Sequence, residues 1–193
     1  MGPTNMLGKY SQKGFTLVEV LIVVIILAIL AAIVVPQFSS STQDAKVSSL
    51  DTSLANMRSA IDLYHQQHGD YPSAKTAVPG NCAGTAGTGA INTPAAFQDQ
   101  LAYYTNATGQ ACTTKDDGAG DTNAYPFGPY LKKRDLPTNP ISLDATLVVV
   151  NAGDLNMAGS NPAGGWRFDN KTGKFIADDS VNTDANSVTY DKH

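Results

Sequence analysis

The sequence predicts an α+β protein, in which a long N-terminal helix packs on a small antiparallel β-sheet near the C-terminus. Three patterns lead to this prediction. A largely apolar run extends from Phe15 to Val35 and is unbroken from Val20 onward, and an amphipathic stripe continues to His68. Short β-branched and aromatic segments separated by turn residues occupy about 146–178. Each change of pattern marks a change in what the chain packs against.

The apolar run has the length of a membrane span. The 21 residues from Phe15 to Val35 make about 31 Å of helix at about 1.5 Å per residue, close to the roughly 30 Å hydrocarbon core of a bilayer. The leader segment, residues 1–14, holds two lysines and no acid. A secretory signal has its apolar core before the cleavage site, whereas this apolar stretch follows Gly14. A cut after Gly14 would therefore keep the helix.

Glu19 is the one acid within the apolar run. An acid costs about 2.5 to 3.5 kcal/mol at the centre of a membrane helix, so Glu19 needs a partner or a route to water. One interpretation is that Glu19 lies near the interface and reaches water. The other is that a cut after Gly14 creates an α-amine on Phe15, one helical turn from Glu19.

The string Lys13-Gly14-Phe15-Thr16-Leu17-Val18-Glu19, with the apolar run up to Pro36, resembles the N-terminus of type IV prepilins and of the pseudopilins of type II secretion systems. The resemblance implies a type IV pilin-like fold. It also implies that a membrane peptidase cuts after the glycine and methylates the new N-terminus, and that mature subunits polymerise through their helices. The sequence does not depart from the family pattern between Gly14 and Pro36.

The resemblance assigns roles to individual residues. Gly14 is the residue before the cut, Phe15 is the methylated residue, and Glu19 pairs with the N-terminal amine of a neighbouring subunit. Residues 15–36 form the transmembrane and assembly helix. Because a buried charge costs least when it is paired, a partner supplied by the next subunit would make assembly relieve that cost. The implied partners are identical subunits, the prepilin peptidase and methyltransferase, the inner-membrane assembly platform, and minor pilins or pseudopilins.

Residues 37–69 change from uniformly apolar to amphipathic. Positions spaced alternately three and four residues apart form one stripe, which comprises Val47, Leu50, Leu54, Met57, Ile61, Tyr64 and His68. The spacing predicts that the first helix continues and buries this stripe against the protein's own sheet, although a coiled coil would use the same stripe. Pro36 removes a backbone donor and is expected to kink the helix. Gly69, followed by Pro72, is expected to end it.

The head, residues 70–193, begins with a polar insertion at 73–121. Within the insertion, Thr93 as N-cap and Pro94 at the first helical position predict a short helix to Tyr104, between two flexible loops.

The sheet is predicted at the end of the chain. Thr146–Asn151 is a β-branched run, and two short apolar segments flank a turn that contains Gly173. We expect the face of the sheet that covers the helix stripe to include Val148, Val150, Trp166 or its neighbours, and Phe175. Residues after Ser180 are polar and are expected to fray. The segments 128–131 and 136–140 are similar to a stretch of the major pseudopilin of type II secretion.

Two cysteines, Cys82 and Cys112, lie in the polar insertion. In an oxidising compartment a disulfide between them would contribute about 3 to 4 kcal/mol on chain-entropy grounds. Two free thiols are the alternative. A metal site is disfavoured because neither cysteine has a second ligand at C-x-x-C spacing.

Catalytic motifs are absent from the sequence. It contains no G-x-S-x-G, no H-E-x-x-H and no P-loop lysine, and the glycines of 84–89 read as a flexible loop. Asp62, His65 and His68 lie one turn apart and could hold a metal, but helical spacing makes such groups common by chance.

Calcium is the one cofactor that the resemblance raises. Major pseudopilins of type II secretion use calcium in the head, and acids occur at Asp169, Asp178 and Asp179. However, Ile141-Ser142 stands where that family has a tryptophan-glycine pair, and oxygen ligands must converge in space. We therefore expect no required cofactor, keep calcium as possible, and assign no ligand.

Charge argues against nucleic acid as a partner of the head. Removing the leader takes away two of the 13 basic residues and none of the 17 acidic ones, which changes the net charge from −4 to −6. Binding to phosphates needs clustered Lys and Arg. The cluster Lys132-Lys133-Arg134 is the one basic concentration and is expected to be a solvated loop.

These observations predict a non-enzymatic filament subunit, single-pass in the bacterial inner membrane, with its head in the periplasm or beyond. The stretch 128–140 favours a pseudopilin of a type II secretion system. The alternative is a type IV pilin that forms surface fibres for adhesion, motility or DNA uptake. A membrane-anchored binding protein or enzyme that never polymerises would explain the apolar helix, but neither the leader nor Glu19.

Overall fold

The computed structural model of the chain describes residues 14–193, so most of the leader lies outside the described residues. Two α-helices, five short strands and a 3-10 turn follow one another in the described part. They are α1 Leu17–His68, α2 Pro94–Ala102, β1 Tyr104–Thr105, β2 Ala111–Cys112, β3 Leu147–Val150, β4 Trp166–Asp169, β5 Phe175–Ala177 and the turn Tyr190–Lys192. The chain divides into two compact units, the first ending at Ser41 and the second comprising Thr42–His193.

The first unit contains the apolar half of α1. The segment Leu17–Val34 is long and apolar enough to cross a membrane, and none of it is buried within the chain. Large apolar side chains on every face are exposed, from Val20 at 52 % to Ile33 at 58 %. A helix that is apolar all round needs lipid or other helices around it.

The second unit holds the hydrophobic core. Along this half of α1, Leu50, Leu54, Met57, Ile61 and Tyr64 are almost fully buried, as the three-four spacing predicts. They pack in one cluster with Phe97 and Leu101 of α2 and with aromatic side chains of β4 and β5. The stripe therefore packs on the protein's own head rather than in a coiled coil.

The end of α1 follows the predicted chemistry. Gly69 adopts a φ of +73°, and its N–H donates to the carbonyl of His65 at 2.8 Å. Helices commonly end on a glycine in this left-handed conformation, because glycine carries no Cβ to clash. The C-cap prediction is confirmed.

The main sheet is mixed rather than purely antiparallel. Its strand order is β3-β4-β5, with β3 parallel to β4 and β4 antiparallel to β5. Residues 151–165 connect β3 to β4, and a connection of that length can return the chain to the same end of the sheet. The β4–β5 hairpin closes through the predicted turn, where Gly173 has a φ of +75° and donates its N–H to the carbonyl of Asp169.

The face of β3 was predicted wrongly. Leu147 is buried and Val148 is 40 % exposed, so the inward-facing residue is not the expected one. A run of consecutive β-branched residues carries no alternation with polar residues, and its register cannot be assigned from the sequence. The predictions for Trp166 and Phe175 are confirmed, since both are buried in the main core.

The C-terminal segment is packed rather than frayed. Tyr190 and Asp191 are buried, and the Tyr190 hydroxyl accepts a hydrogen bond from Gln43. Arg58 donates to the backbone oxygen of Phe175 at 3.1 Å and to that of His193 at 2.7 Å. Composition alone hid these contacts, because they join residues more than a hundred positions apart.

Candidate processing and assembly site

The N-terminus of α1 is capped by its own sequence. The Thr16 hydroxyl accepts a hydrogen bond from the Glu19 N–H at 3.2 Å, and the Thr16 N–H donates to Glu19 Oε2 at 3.4 Å. This reciprocal pattern is a capping box, which satisfies two backbone donors that a helix start leaves open. The sequence signal for it is Thr16-x-x-Glu19. Sequence reasoning that considered only the cost of an acid in a membrane missed Thr16.

The capping box fixes where the Glu19 carboxylate points. Its Oε2 lies 3.5 Å from the Thr16 hydroxyl oxygen, so the side chain turns back toward the start of the helix. A carboxylate in the first turn is favoured by the helix dipole. The carboxylate is therefore held against Thr16, at the N-terminal end of the apolar segment.

Gly14 and Phe15 precede α1 and are open to approach. Phe15 is 83 % exposed, and a Cβ added to Gly14 would meet no atom within 4 Å. The peptide bond between them is therefore sterically accessible within the described part of the chain. The predicted roles of Gly14, Phe15 and Glu19 in cleavage, methylation and assembly stay predictions. α1 continues through residue 36, and the role of Pro36 likewise stays a prediction.

The disulfide prediction is confirmed. Cys82 and Cys112 are bonded, with their Cα atoms 5.7 Å apart, which excludes the free-thiol alternative. The bridge closes a loop of 30 residues that contains α2. Cys112 is fully buried beside Ala111, which belongs to a small second apolar cluster.

The polar insertion is held together around one buried acid. Asp99 of α2 accepts the N–H groups of Thr88 and Gly89 at 2.8 and 3.1 Å and pairs with Arg134 at 2.6 Å. A Cβ on Gly89 would lie 1.9 Å from the Ala96 nitrogen, so only glycine fits there. The expectation of a flexible glycine loop is corrected: residues 88–89 pack on α2.

The basic cluster is also corrected in part. The Arg134 side chain donates a hydrogen bond to buried Asp99, and this bond raises the pKa of Arg134. Arg134 therefore anchors its loop to α2 instead of facing only solvent. Lys132 and Lys133 are exposed, as expected.

α2 itself starts as predicted, with the Thr93 hydroxyl accepting the Ala96 N–H, but ends at Ala102, before the predicted Tyr104. Tyr104 instead starts β1.

The two histidines of α1 serve packing. His65 stacks on Tyr71 and His68 stacks on Tyr64, each with ring centroids 4.0 Å apart. Burial lowers the pKa of His68, because desolvation penalises the imidazolium. Within residues 14–193, no group of three or more His, Cys, Asp or Glu side chains is arranged to hold a metal ion.

The three acids near the end of the chain are engaged by the protein. Asp169 accepts N–H groups from Gly153, Asp154 and Lys171. Asp178 pairs with Arg167 at 2.8 Å. Asp179 accepts the N–H groups that follow it in the chain. A calcium site in the head stays a prediction without assigned ligands.

Comparison with known proteins agrees with the N-terminal resemblance. The prokaryotic N-terminal methylation motif matches residues 9–35. The chain is 44 % identical over 67 residues to the type II secretion system core protein G of Pseudomonas aeruginosa, covering 35 % of the chain and 47 % of the relative. It is 41 % identical over 67 residues to a fimbrial protein of Neisseria meningitidis, covering 35 % and 39 %. In both cases the chain spans less than half of the relative's length.

One similarity extends through the head. The chain is 24 % identical over 172 residues to the type II secretion system core protein G of Pectobacterium carotovorum, covering 84 % of the chain and 89 % of the relative. No solved structure matches the chain. The methylation motif, the apolar helix and the similarity to both groups support a relationship of the chain to type IV pilins and pseudopilins.

Proposed function

We propose that this chain is a structural subunit of a type IV pilin-like filament, made as a prepilin and cut after Gly14. The construction of the N-terminus carries this proposal. The Gly14–Phe15 bond is accessible, and a capped helix start holds the Glu19 carboxylate beside it. The apolar segment that follows finds no cover within the chain. Neighbouring subunits would supply that cover and, through their N-terminal amines, the partner of Glu19.

Within this class, a pseudopilin of a type II secretion system is the favoured assignment. It is supported by the similarity to core protein G over 172 residues, which includes the head, whereas the fimbrial similarity covers 67 residues. That fimbrial similarity supports the alternative, a type IV pilin of surface fibres for adhesion, motility or DNA uptake. The N-terminal helix has the same task in both.

The proposal includes a location and a set of partners. The subunit lies single-pass in the bacterial inner membrane, with its head in the periplasm, before it enters a pseudopilus or a surface pilus. It is processed by the prepilin peptidase and methyltransferase and engages the assembly platform together with minor subunits. We assign it no catalytic role, because the chemistry around Gly14 and Glu19 is that of a substrate and an assembly contact.

Mass spectrometry of the native protein tests the proposal. Two fractions of the host are compared: material sheared from the cell surface and material left in the membrane. A mature chain that begins at methylated Phe15 and stays in the membrane fraction is the expected result for a pseudopilin. The same chain abundant in the sheared fraction would replace that assignment by the pilus. An uncut chain in both fractions would overturn the prepilin proposal.

A further inference from the structure

One exposed leucine of the head lies in a strained turn. Leu143 is 74 % exposed and has a φ of +59°. Four non-glycine residues in the described part of the chain have a positive φ, and the other three are two serines and one asparagine. In this left-handed region the Cβ crowds the following carbonyl oxygen, and glycine or asparagine adopts it at lower cost than a bulky residue. Leucine is therefore an unfavourable residue for this turn in an isolated subunit.

The turn that carries Leu143 is firmly anchored. The Leu143 N–H donates to the Asn139 carbonyl at 2.9 Å, and the Asn139 N–H donates to the Asp144 carbonyl at 2.8 Å. Asn139 is 1 % exposed, and its Nδ2 donates to the carbonyl of Gly165, next to β4, at 2.9 Å. These bonds hold the exposed side chain in place on the sheet. Residues held in disfavoured conformations cluster at functional sites, because only the surrounding structure maintains them.

A second feature of the head is an apolar groove beside α1. Its volume is about 260 Å³, below the range of about 300 to 1,000 Å³ typical of small-ligand sites, so it suits a side chain rather than a ligand. Met57, which is 2 % exposed, contributes apolar surface together with Leu131 and Pro137. Leu143 is not among the residues that line the groove of its own chain. For Leu143 to fill such a groove, the groove has to belong to a second copy.

The charges beside the leucine and beside the groove are complementary. Asp144 follows Leu143 directly, and hydrogen bonds from a nearby threonine lower the pKa of its carboxyl group. The groove is lined by two exposed lysines, Lys132 and Lys133, and by one exposed acid, Asp135. Neither lysine forms an ion pair with the described residues. Two positive charges against one negative leave the groove with a positive border, while the leucine has a negative neighbour.

We propose that Leu143 of one subunit inserts into the groove beside Met57 of a second copy. Asp144 then faces the two lysines at that groove, which fixes the orientation of the contact. This inference rests on the proposed function, since it names a contact between the heads of filament subunits. The contact joins two different patches, so it can repeat from copy to copy and extend a filament. Burial of the leucine in the second copy offsets the unfavourable backbone of its turn.

Photo-crosslinking of the full chain in its host tests this contact. A diazirine amino acid replaces Asn56, which is exposed and lines the groove. The covalent dimer is isolated, so that capture within one chain is excluded, and mass spectrometry identifies the captured peptide. We expect the peptide that contains Leu143. Capture of other proteins alone, or of no protein, would overturn the proposal.

Matched asparagine variants separate the contact from folding. Leu143→Asn introduces a residue that tolerates the left-handed turn, whereas Leu155→Asn changes another leucine of the head with similar exposure, 76 %. We expect the first to lower the yield of the covalent dimer about tenfold or more, as for the loss of one buried leucine side chain, and the second to leave it unchanged. Equal yields in both variants, or a lower urea midpoint for Leu143→Asn, would overturn the proposal.

Failure of this contact is distinguishable from failure of the proposed function. A chain that is cut after Gly14 and forms filaments, but whose photo-label never captures Leu143, would reject the contact alone. A chain that remains uncut would reject the proposed function, and capture of Leu143 by its photo-label would still support the contact.

Discussion

One helix, α1, has two halves that solve opposite problems. From Leu17 to Val34 its large side chains are exposed on every face, whereas from Leu50 to Tyr64 one stripe of apolar side chains is buried. The second half obtains its cover from α2 and the sheet. The first half has no cover in its own chain and needs lipid or other helices around it. A single continuous helix therefore contains one segment that folds with the head and one segment whose cover comes from outside the chain.

The largest expected effect concerns Glu19, at the start of the first half. On the proposed assembly, Glu19→Ala would leave the amine of a neighbouring subunit unpaired, and breaking a buried pair costs about 3 to 5 kcal/mol. We expect cleavage and membrane insertion to be retained while filaments are lost, as measured by mass spectrometry and electron microscopy. Glu19→Asp, which keeps the charge on a shorter side chain, is the control and should retain part of the assembly. Normal filaments with alanine would remove Glu19 from the mechanism.

A pair of identical substitutions separates the two halves directly. Leu54 is 1 % exposed and Leu27 is 58 % exposed on the same helix. Leu54→Ala should lower the free energy of unfolding of the head by about 2 to 5 kcal/mol, the cost of a cavity. Leu27→Ala should leave it unchanged. Urea unfolding in detergent, monitored by the fluorescence of Trp166, measures both free energies. Equal effects of the two substitutions would contradict the claim that only the second half of α1 stabilises the head.

The disulfide tests whether the stability of the head is independent of the apolar half of α1. Replacing Cys82 and Cys112 together by serine should cost about 3 to 4 kcal/mol of stability on chain-entropy grounds. The effect belongs to the second unit, so membrane insertion of the first should not change. Thermal unfolding and carbonate extraction of membranes measure the two properties. A variant as stable as the parent would show that α2 and the core hold this region without the bridge.

A smaller effect is expected at the start of α1. Thr16→Ala removes the hydroxyl that accepts the Glu19 N–H, and loss of such a cap costs about 1 kcal/mol. Hydrogen exchange of the Glu19 amide should accelerate about fivefold, while exchange in the head stays the same. Thr16→Ser keeps a hydroxyl and is the matched control. Unchanged exchange in the alanine variant would show that the box does not order this end.

The smallest expected effect is a dependence of head stability on pH. Burial lowers the pKa of His68 from 6.5, so the unfolded chain takes up a proton more readily than the folded chain. Stability contributed by neutral His68 is therefore complete above the unfolded pKa and declines as the pH falls below about 6.5. His68→Phe should flatten this part of the profile. Urea midpoints for both proteins, measured from neutral pH down to below the ordinary histidine pKa of about 6.5, give the difference.

Patterns with a strict period could be predicted from the sequence. The stripe from Leu50 to Tyr64, the glycine at the end of α1, the N-cap of α2 and the turn at Gly173 each follow from local physical rules, and all appear in the structure. The sequence singled out Glu19 by the cost of its charge in a membrane. That argument did not predict the hydrogen bond between the Glu19 N–H and the Thr16 hydroxyl.

The remainder depended on contacts between distant residues. The parallel pairing of β3 with β4 and the burial of Tyr190 are set by packing that leaves no local signal. The same holds for Arg134, whose exposed-looking basic run conceals a partner 35 positions away, the buried Asp99. A basic run predicts exposed side chains only if none of them forms an ion pair with a buried acid elsewhere in the chain.

Whether the bridge between Cys82 and Cys112 has formed depends on the compartment that the head occupies. Disulfides persist in oxidising compartments and are rare in the cytosol. Under the location proposed above, the redox state of these two sulfurs would report which side of the membrane a given head has reached. Alkylation of free thiols in whole cells, followed by mass spectrometry, would then separate heads with a formed disulfide from heads with reduced cysteines.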